Sequence, residues 1–349
     1  MVMRKQARQD VRYSVVVPAY QAEDIVGPCV AALVAQSVPR DSYEVLVVDD
    51  GSTDQTAAVA SAAGADAVLH VPHGGPAAAR NAGVAAARGE IVLMTDADCV
   101  PSKGWIAAMV APFADPQVMG TKGSYRTKQR PWVARLVQLE YEIRYERMAR
   151  LPSIDFIDTY AAAYRRHVLV EEQGFNTIYP MASVEDVDLS FRVARRGRLI
   201  FVPEAWVWHR HPATLNAYLR RKALYGYWRA LLYIKQPDKA AGDSHTDPML
   251  KVQFVLVAVM AILGVLGLLS RAARRWLWGG AGAAVGAFGV TTWPFVRWAW
   301  PRDRTVALLW PGVVWLRALV QGTGLALGLV VHGRRKLRRD DRTGAATPT

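Results

Sequence analysis

The sequence predicts an α/β fold: a mostly parallel, covered sheet of Rossmann-like, nucleotide-binding type, followed by apolar C-terminal helices. Three observations predict it. Short β-branched runs alternate with helical stretches as far as Asp98, the pattern of parallel strands joined by crossover helices. The runs end in turn-forming or acidic residues, at the edge where open α/β sheets bind ligands. Almost unbroken apolar stretches begin at Met249, each long enough to match the thickness of a bilayer.

Tyr13-Ser14-Val15-Val16-Val17 reads as the first strand and ends at Pro18-Ala19-Tyr20. A helix over about residues 23–37 follows from the spacing of Ile25, Cys29, Leu33 and Gln36. The second strand, 44–48, ends in Asp49-Asp50-Gly51-Ser52-Thr53. Ser52 or Thr53 suits the N-cap of an Ala-rich helix running to about Ala63. A third strand over 67–71 leads to Gly74-Gly75-Pro76, where Pro76 opens a helix to about Ala87. The fourth strand, 91–95, stops abruptly at Asp96-Ala97-Asp98. Beyond it the pattern predicts a helix over 105–113, a strand over 121–127 and a long charged helix over 132–149. An apolar run over 156–164 follows. A helix over 183–196, with Ser183 as its N-cap, then precedes a strand over 199–203, which leads into Trp206-Val207-Trp208-His209. Residues 218–233 are aromatic and Arg-rich.

The chain has 349 residues, is 52% hydrophobic and carries a formal charge of +13. The apolar and basic excesses sit in different places, the apolar runs after about residue 249 and Arg clusters flanking them, so the charge reads as membrane-proximal. No signature of an RNA- or DNA-binding module is present. Two cysteines, Cys29 and Cys99, argue against a disulfide framework and fit a reducing compartment, with core packing as their role. Met1 to Asp10 is polar and basic, without the apolar core of a secretory signal.

The expected organisation is a tail over 1–12, an α/β domain over 13–234, a linker over 235–248, a membrane region over 249–333 and a basic tail over 334–349. Spans are expected at about 249–270, 276–296 and 305–332. The last contains Pro311 and Arg317, and reads as re-entrant or interfacial. Arg334, Arg335, Lys336, Arg338 and Arg339 imply a cytoplasmic C-terminus. With a cytoplasmic N-terminal domain this implies an even number of crossings, although Arg271, Arg274 and Arg275 then lie on the outer side, and three crossings remain an alternative. The expected location is the cell membrane, multi-pass, with the α/β domain over 13–234 in the cytoplasm.

The chemistry gathers at the strand ends. Asp96 and Asp98 stand two apart and point the same way if the strand geometry persists. Paired carboxylates suit a hard divalent cation that leaves positions open for phosphates. Alone, an Asp-x-Asp is more often a solvated turn. Tyr20, Asp50 and Arg80 each have an equally plain structural reading, as core, turn former and solvated helix residue. Their order along the chain makes the set more specific than its members.

Val15-Val16-Val17-Pro18-Ala19-Tyr20, Val47-Val48-Asp49-Asp50-Gly51-Ser52-Thr53-Asp54, Ala79-Arg80-Asn81-Ala82-Gly83, Asp96-Ala97-Asp98 and Glu185-Asp186-Val187-Asp188-Leu189 together resemble family 2 glycosyltransferases of the GT-A fold, over about residues 13–230. The resemblance implies an inverting transfer from a nucleotide-diphosphate sugar, with Mg2+ or Mn2+ as cofactor. It places Pro18, Ala19, Tyr20, Asp49 and Asp50 around the nucleotide and Arg80 near the nucleotide or diphosphate. Asp96 and Asp98 then hold the metal and the donor phosphates. Glu185 and Asp186 match the acceptor-side acidic motif, with Asp186 as general base, because an attacking hydroxyl must lose a proton. The helix dipole would favour Glu185, Asp186 and Asp188 at an N-terminus in any case. His209 or His211 completes the metal site or meets the diphosphate, His209 being preferred. The Gln-x-x-Arg-Trp motif of processive members is absent.

The expected partners are the nucleotide sugar, membrane lipids and a membrane-associated acceptor such as a polyprenyl phosphate or a lipid-linked glycan, and not nucleic acid. The alternatives are a processive polysaccharide synthase subunit and a sugar-phosphate nucleotidyltransferase. Sugar, base, acceptor and oligomeric state are not specified.

Overall fold

The computed structural model describes residues 2–4, 10–179, 184–240, 242, 244, 246–247 and 249–344, with backbone alone at 2–4, 240 and 335–344. Ser183, the expected helix cap, much of the tail over 1–12, part of the linker and the last five residues lie outside the described residues. The chain divides into two compact units, Met1–Gln129 with Arg144–His211, and Arg130–Ile143 with Pro212–Thr349.

In chain order the elements are β1 (Val2–Arg4), β2 (Tyr13–Ala19), α1 (Val26–Val34), β3 (Tyr43–Asp49), α2 (Thr56–Ala62), β4 (Ala67–His70), α3 (Pro76–Ala86), β5 (Ile91–Met94), β6 (Val100–Pro101), α4 (Trp105–Val110), β7 (Val118–Arg126), α5 (Trp132–Met148), β8 (Ala162–Arg165), α6 (Arg166–Glu171), α7 (Glu185–Val193), β9 (Arg198–Trp208), α8 (Leu215–Lys235), α9 (Met249–Leu269), α10 (Arg274–Ala299) and α11 (Arg304–Gly344).

The first unit is built on one sheet of order β1-β4-β3-β2-β5-β8-β7-β9-β6. The segment β4-β3-β2-β5 is parallel throughout, as the strand–helix alternation predicts. Its strands are buried on both faces, with Val15, Val16, Val17, Val45, Leu46, Val47, Val48 and Leu93 inaccessible to solvent. The chain leaves β2 for β3 and β4, then returns to the other flank of β2 as β5. Beside such a reversal the strand ends leave a crevice.

Past β5 the sheet becomes mixed. β8 runs antiparallel to β5 and to β7, β9 runs parallel to β7, and β6 is antiparallel to β9. The alternation that predicts parallel strands ends at Asp98, so pattern alone does not set this half. The strand expected at 199–203 and the Trp206-Val207-Trp208 run are one strand, β9, with an irregularity opposite Lys122 and Ser124.

α3 lies directly on β2. A Cβ built on Gly83 would sit 2.3 Å from Val16 Cγ1, so only a glycine permits this approach. Arg80, three residues earlier on the same helix, is thereby buried at the strand ends. Pro76 occupies the first turn of α3, and Gly75 before it takes φ 83°. α2 starts at Thr56 rather than at the expected Ser52 or Thr53. Those two residues serve the strand end instead: Ser52 N–H donates to Asp49 Oδ1 (3.0 Å), and Gln21 binds both. Asp54 takes over at the helix start, accepting Thr56 N–H at 3.0 Å.

The second unit is helical. α8 and α11 approach through glycines: a Cβ on Gly226 would lie 2.1 Å from Gln321 O, and one on Gly324 2.2 Å from Ala223 O. Arg317, the charge inside the third apolar stretch, is buried and ion-paired to Glu140 at 2.6 Å. Lys222 and Tyr218 also bind Glu140, and Gln253 accepts from Arg317. Among the described residues two helices are long and apolar enough to cross a membrane, Met249–Leu269 with mean hydropathy 2.7 and Arg304–Arg334 with 1.6. The stretch expected as a middle span, 276–296, is helical within α10 and is not one of the two.

Candidate active site

The residues singled out in the sequence meet at the carboxyl ends of β2, β3 and β5. Asp49 and Asp50 both close this end of the sheet. Asp49 accepts from Ser52 N–H and pairs with His70 Nδ1 at 3.1 Å. Asp50 accepts from the amides of Gly74 (2.8 Å) and Gly75 (3.0 Å) and lies 3.1 Å from His73 Nδ1. His73 in turn stacks on Tyr20, with ring centroids 4.3 Å apart. The two rings are 57% and 49% exposed, a flat apolar surface at the mouth of the crevice. Pro18 and Ala19 form the last part of β2 beneath it. No sequence motif marks His73 as functional. It stands in the loop before α3, and it is the fold of that loop over Asp50 that brings it to Tyr20.

Arg80 links the two acidic motifs. Its guanidinium is 3% exposed and donates through Nη2 to Asp96 Oδ1 (2.9 Å) and through Nη1 to Glu185 Oε1 (3.0 Å). It also lies over the Phe175 ring, 5.6 Å from the centroid. Asn81 sets that ring: it donates to Phe175 O and accepts Phe175 N–H, both at 2.8 Å. The Ala79-Arg80-Asn81 motif is therefore a joint between α3, the strand end at Asp96 and the start of α7.

Asp96 and Asp98 are 32% and 38% exposed. A carboxylate oxygen from each, with Cys99 Sγ, lies within a 4.8 Å cluster. Burial raises the Cys99 thiol well above its usual range, with the charges of Asp96 and Asp98 adding to it. A neutral buried thiol is no ligand for a hard cation, whereas the two carboxylates fit one. His209 stands beside the pair. Its Nε2 is 3.3 Å from Asp98 Oδ2. The β6–β9 register explains why: Val100 pairs with Trp208, so the chain just before Val100 runs beside the chain just after Trp208. His211 lies behind, its Nδ1 3.1 Å from His209 Nδ1. Two oxygen donors and an imidazole nitrogen suit Mn2+ or Mg2+ with sites left for phosphate.

Glu185 and Asp186 open α7, where the helix N-terminus favours anions. Glu185 turns inward to Arg80. Asp186 is half-buried and accepts Val187 N–H at 2.8 Å. Burial, and next the Glu185 carboxylate, raise its pKa from 3.8 to about 7, while Arg80 pulls it down. A carboxyl that titrates near neutrality is poised to take up a proton. The turn below it is held by Ser190, whose Oγ donates to Asp186 O (2.6 Å) and accepts Ile157 N–H (3.0 Å).

Residues 14–172 match the model of the family described as Glycosyl transferase family 2. The pre-mycofactocin glycosyltransferase of Mycobacterium tuberculosis (strain H37Rv) is 35% identical over 216 residues, which are 56% of this chain and 44% of that protein. The probable glycosyltransferase YdaM of Bacillus subtilis is 24% identical over 241 residues, 63% of this chain and 55% of that one. The chain thus spans about half the length of these curated relatives. Mannosyltransferase PcManGT from Pyrobaculum calidifontis, solved in complex with GDP-Man and Mn2+, superposes with a TM-score of 0.59 at 21% identity, over 91% of this chain and 88% of that one. This likeness establishes a GT-A-like α/β fold.

Proposed function

We propose that the chain, through the family 2 domain it carries, is a nucleotide-sugar-dependent glycosyltransferase that inverts the anomeric centre and acts on an acceptor at a membrane. The observation that carries the reading is Arg80. One buried guanidinium binds Asp96, on the side of the Asp-x-Asp pair, and Glu185, next to the carboxyl that titrates near neutrality. That pairs a diphosphate-side acidic cluster with an acceptor-side base, which sugar transfer requires and nucleotide binding alone does not.

In this reading the nucleobase lies on the Tyr20–His73 surface, and Asp49 and Asp50 hold the loops around it. Asp96, Asp98 and His209 would hold a divalent cation, which when bound neutralises the departing diphosphate. Asp186 accepts the acceptor's proton as the hydroxyl attacks. Glu185 and Arg80 set its charge. If the acceptor is itself a phosphate it needs less help from a base, and Asp186 then orients it.

The membrane part of the reading is supported by the two long apolar helices and by the basic residues that follow the second. The catalytic domain over 13–234 would stand in the cytoplasm, joined by the 235–248 linker. A polyprenyl phosphate or a lipid-linked glycan is the acceptor class this placement favours. Purified protein with Mn2+ or Mg2+ is expected to hydrolyse or transfer from at least one member of a nucleotide-sugar panel, and Asp98→Asn to lose that activity. Wild-type turnover by Asp98→Asn would sink the metal-site assignment. Release of pyrophosphate from a sugar phosphate and a nucleoside triphosphate would favour the nucleotidyltransferase instead.

A further inference from the structure

Behind His209 lies a column of aromatic rings with a buried charge at its far end. His209 stacks on Tyr125, with centroids 4.4 Å apart, and Tyr125 stacks on Tyr160 at 3.3 Å. The Tyr160 hydroxyl takes a hydrogen bond from Lys122 Nζ at 3.3 Å and shares one with Tyr145 Oη at 2.7 Å. Tyr145 Oη also accepts Tyr125 N–H at 2.8 Å. Lys122, 1% exposed, is ion-paired to Asp158 and sits 5.2 Å from the Phe156 ring centroid. Burial holds its ammonium well below the usual lysine range. Its charge helps Arg80 to pull the Asp186 pKa down, but its direct contacts run to Asp158 and Tyr160, and a lysine in mid-strand is costly to bury without a purpose.

We propose that Lys122 is a positioning residue for the metal site, acting through the hydroxyl of Tyr160 and the stacked ring of Tyr125 to fix the imidazole of His209 against Asp98. The geometry supplies both restraints a ligand ring needs. The stack sets the plane of the imidazole, and the hydrogen bond between His209 N–H and Arg126 O (3.0 Å) sets its backbone. The hydrogen bonds at Tyr160 and Tyr145 stop the column from sliding. Groups behind a ligand that fix its orientation raise metal affinity, and their loss typically weakens binding by about 10–100-fold.

This inference rests on the reading of Asp96, Asp98 and His209 as a metal site. The test is Mn2+ alone, titrated into the full chain and followed by electron paramagnetic resonance of the free ion. Lys122→Met is expected to raise the Mn2+ dissociation constant by about tenfold. Tyr160→Phe keeps the ring and removes only the hydroxyl that Lys122 holds, and is expected to weaken binding in the same direction. Leu33→Ala, a core change on α1 away from the column, is the control: it lowers the melting temperature and leaves Mn2+ affinity unchanged. Wild-type affinity in a folded Lys122→Met overturns the proposal. If Lys122→Met does not fold, wild-type affinity in Tyr160→Phe overturns it. A wild-type protein that binds no Mn2+ removes the metal-site reading and this inference with it, whereas binding by wild type and equal binding by the variants removes the inference alone.

Discussion

Replacing Arg80 with methionine keeps much of the side-chain volume and removes the guanidinium that joins the two acidic motifs. The Arg80–Glu185 pair is 3% exposed on both sides, and stripping one partner from so buried a pair costs about 3–5 kcal/mol. Asp96 is 32% exposed, so losing its pairing adds only about 0–1 kcal/mol. At about 2–4 °C per kcal/mol for a unit of this size, the melting temperature falls by roughly 6–24 °C. The cost is that of an uncompensated carboxylate rather than of lost attraction. Arg80→Met/Glu185→Met, which removes both buried charges, is therefore expected to recover at least half of the loss. Calorimetry of wild type, both single variants and the double variant closes the cycle. A double variant that melts at or below Arg80→Met would refute the reasoning, because the two side chains would then contribute independently. The same substitution has a kinetic signature. Arg80 lowers the Asp186 pKa, and a base acts only when ionised, so without Arg80 the rising limb of the pH–rate profile moves to higher pH.

Asp186 also makes stability depend on pH. Its folded pKa is about 7 against an ordinary 3.8, so the folded state binds the proton more tightly and stability falls as pH rises from about 4 through 7. Asp186→Asn is expected to melt higher than wild type at pH 8, with the gain shrinking towards pH 4, while transfer is lost. A pH-independent difference would contradict the raised value. Gly83→Ala drives a methyl to 2.3 Å from Val16 Cγ1 and is expected to cost about 1–3 kcal/mol; an unchanged denaturation midpoint would mean that α3 can lift off β2. In the helical unit, Gly324→Ile sets a branched side chain against the backbone at Ala223 O, 2.2 Å from the Cβ position, and is expected to expose α8 to limited proteolysis. A digestion pattern like that of wild type would count against the glycine contact.

Much of the first half is legible in the residues alone, because local rules act there: β-branched runs, Pro76 at a helix start, and acidic residues at strand ends. Tyr13–Ala19, Tyr43–Asp49, Ala67–His70 and Ile91–Met94 are strands within two residues of their expected bounds. Past Asp98 the same rules find elements but not their pairing. The antiparallel β8, inserted between β5 and β7, depends on contacts far apart in sequence, and no periodicity encodes which strand meets which. The start of α2 departs from expectation because Ser52 and Thr53 are good caps, yet they are taken up by Asp49 and Gln21.

What the sequence determined by itself is the set of acidic motifs and their order. The strand spacing expected to pair Asp96 with Asp98 does not operate, because β5 ends at Met94 and the two carboxylates meet across the turn beyond it, closed by Cys99 N–H donating to Asp96 O at 3.0 Å. Tertiary structure decided the partners. It brought Arg80 onto both Asp96 and Glu185, a residue 105 positions away, through the close seat of Gly83 on Val16. It set His209 beside Asp98 through the Val100–Trp208 register, and left His211 behind. It placed Lys122 under a ring column that no local pattern announces. Burial made the difference in each case. A guanidinium, an imidazole and an ammonium are ordinary surface groups until the fold removes their water, and each then needs the particular partner that the fold supplies.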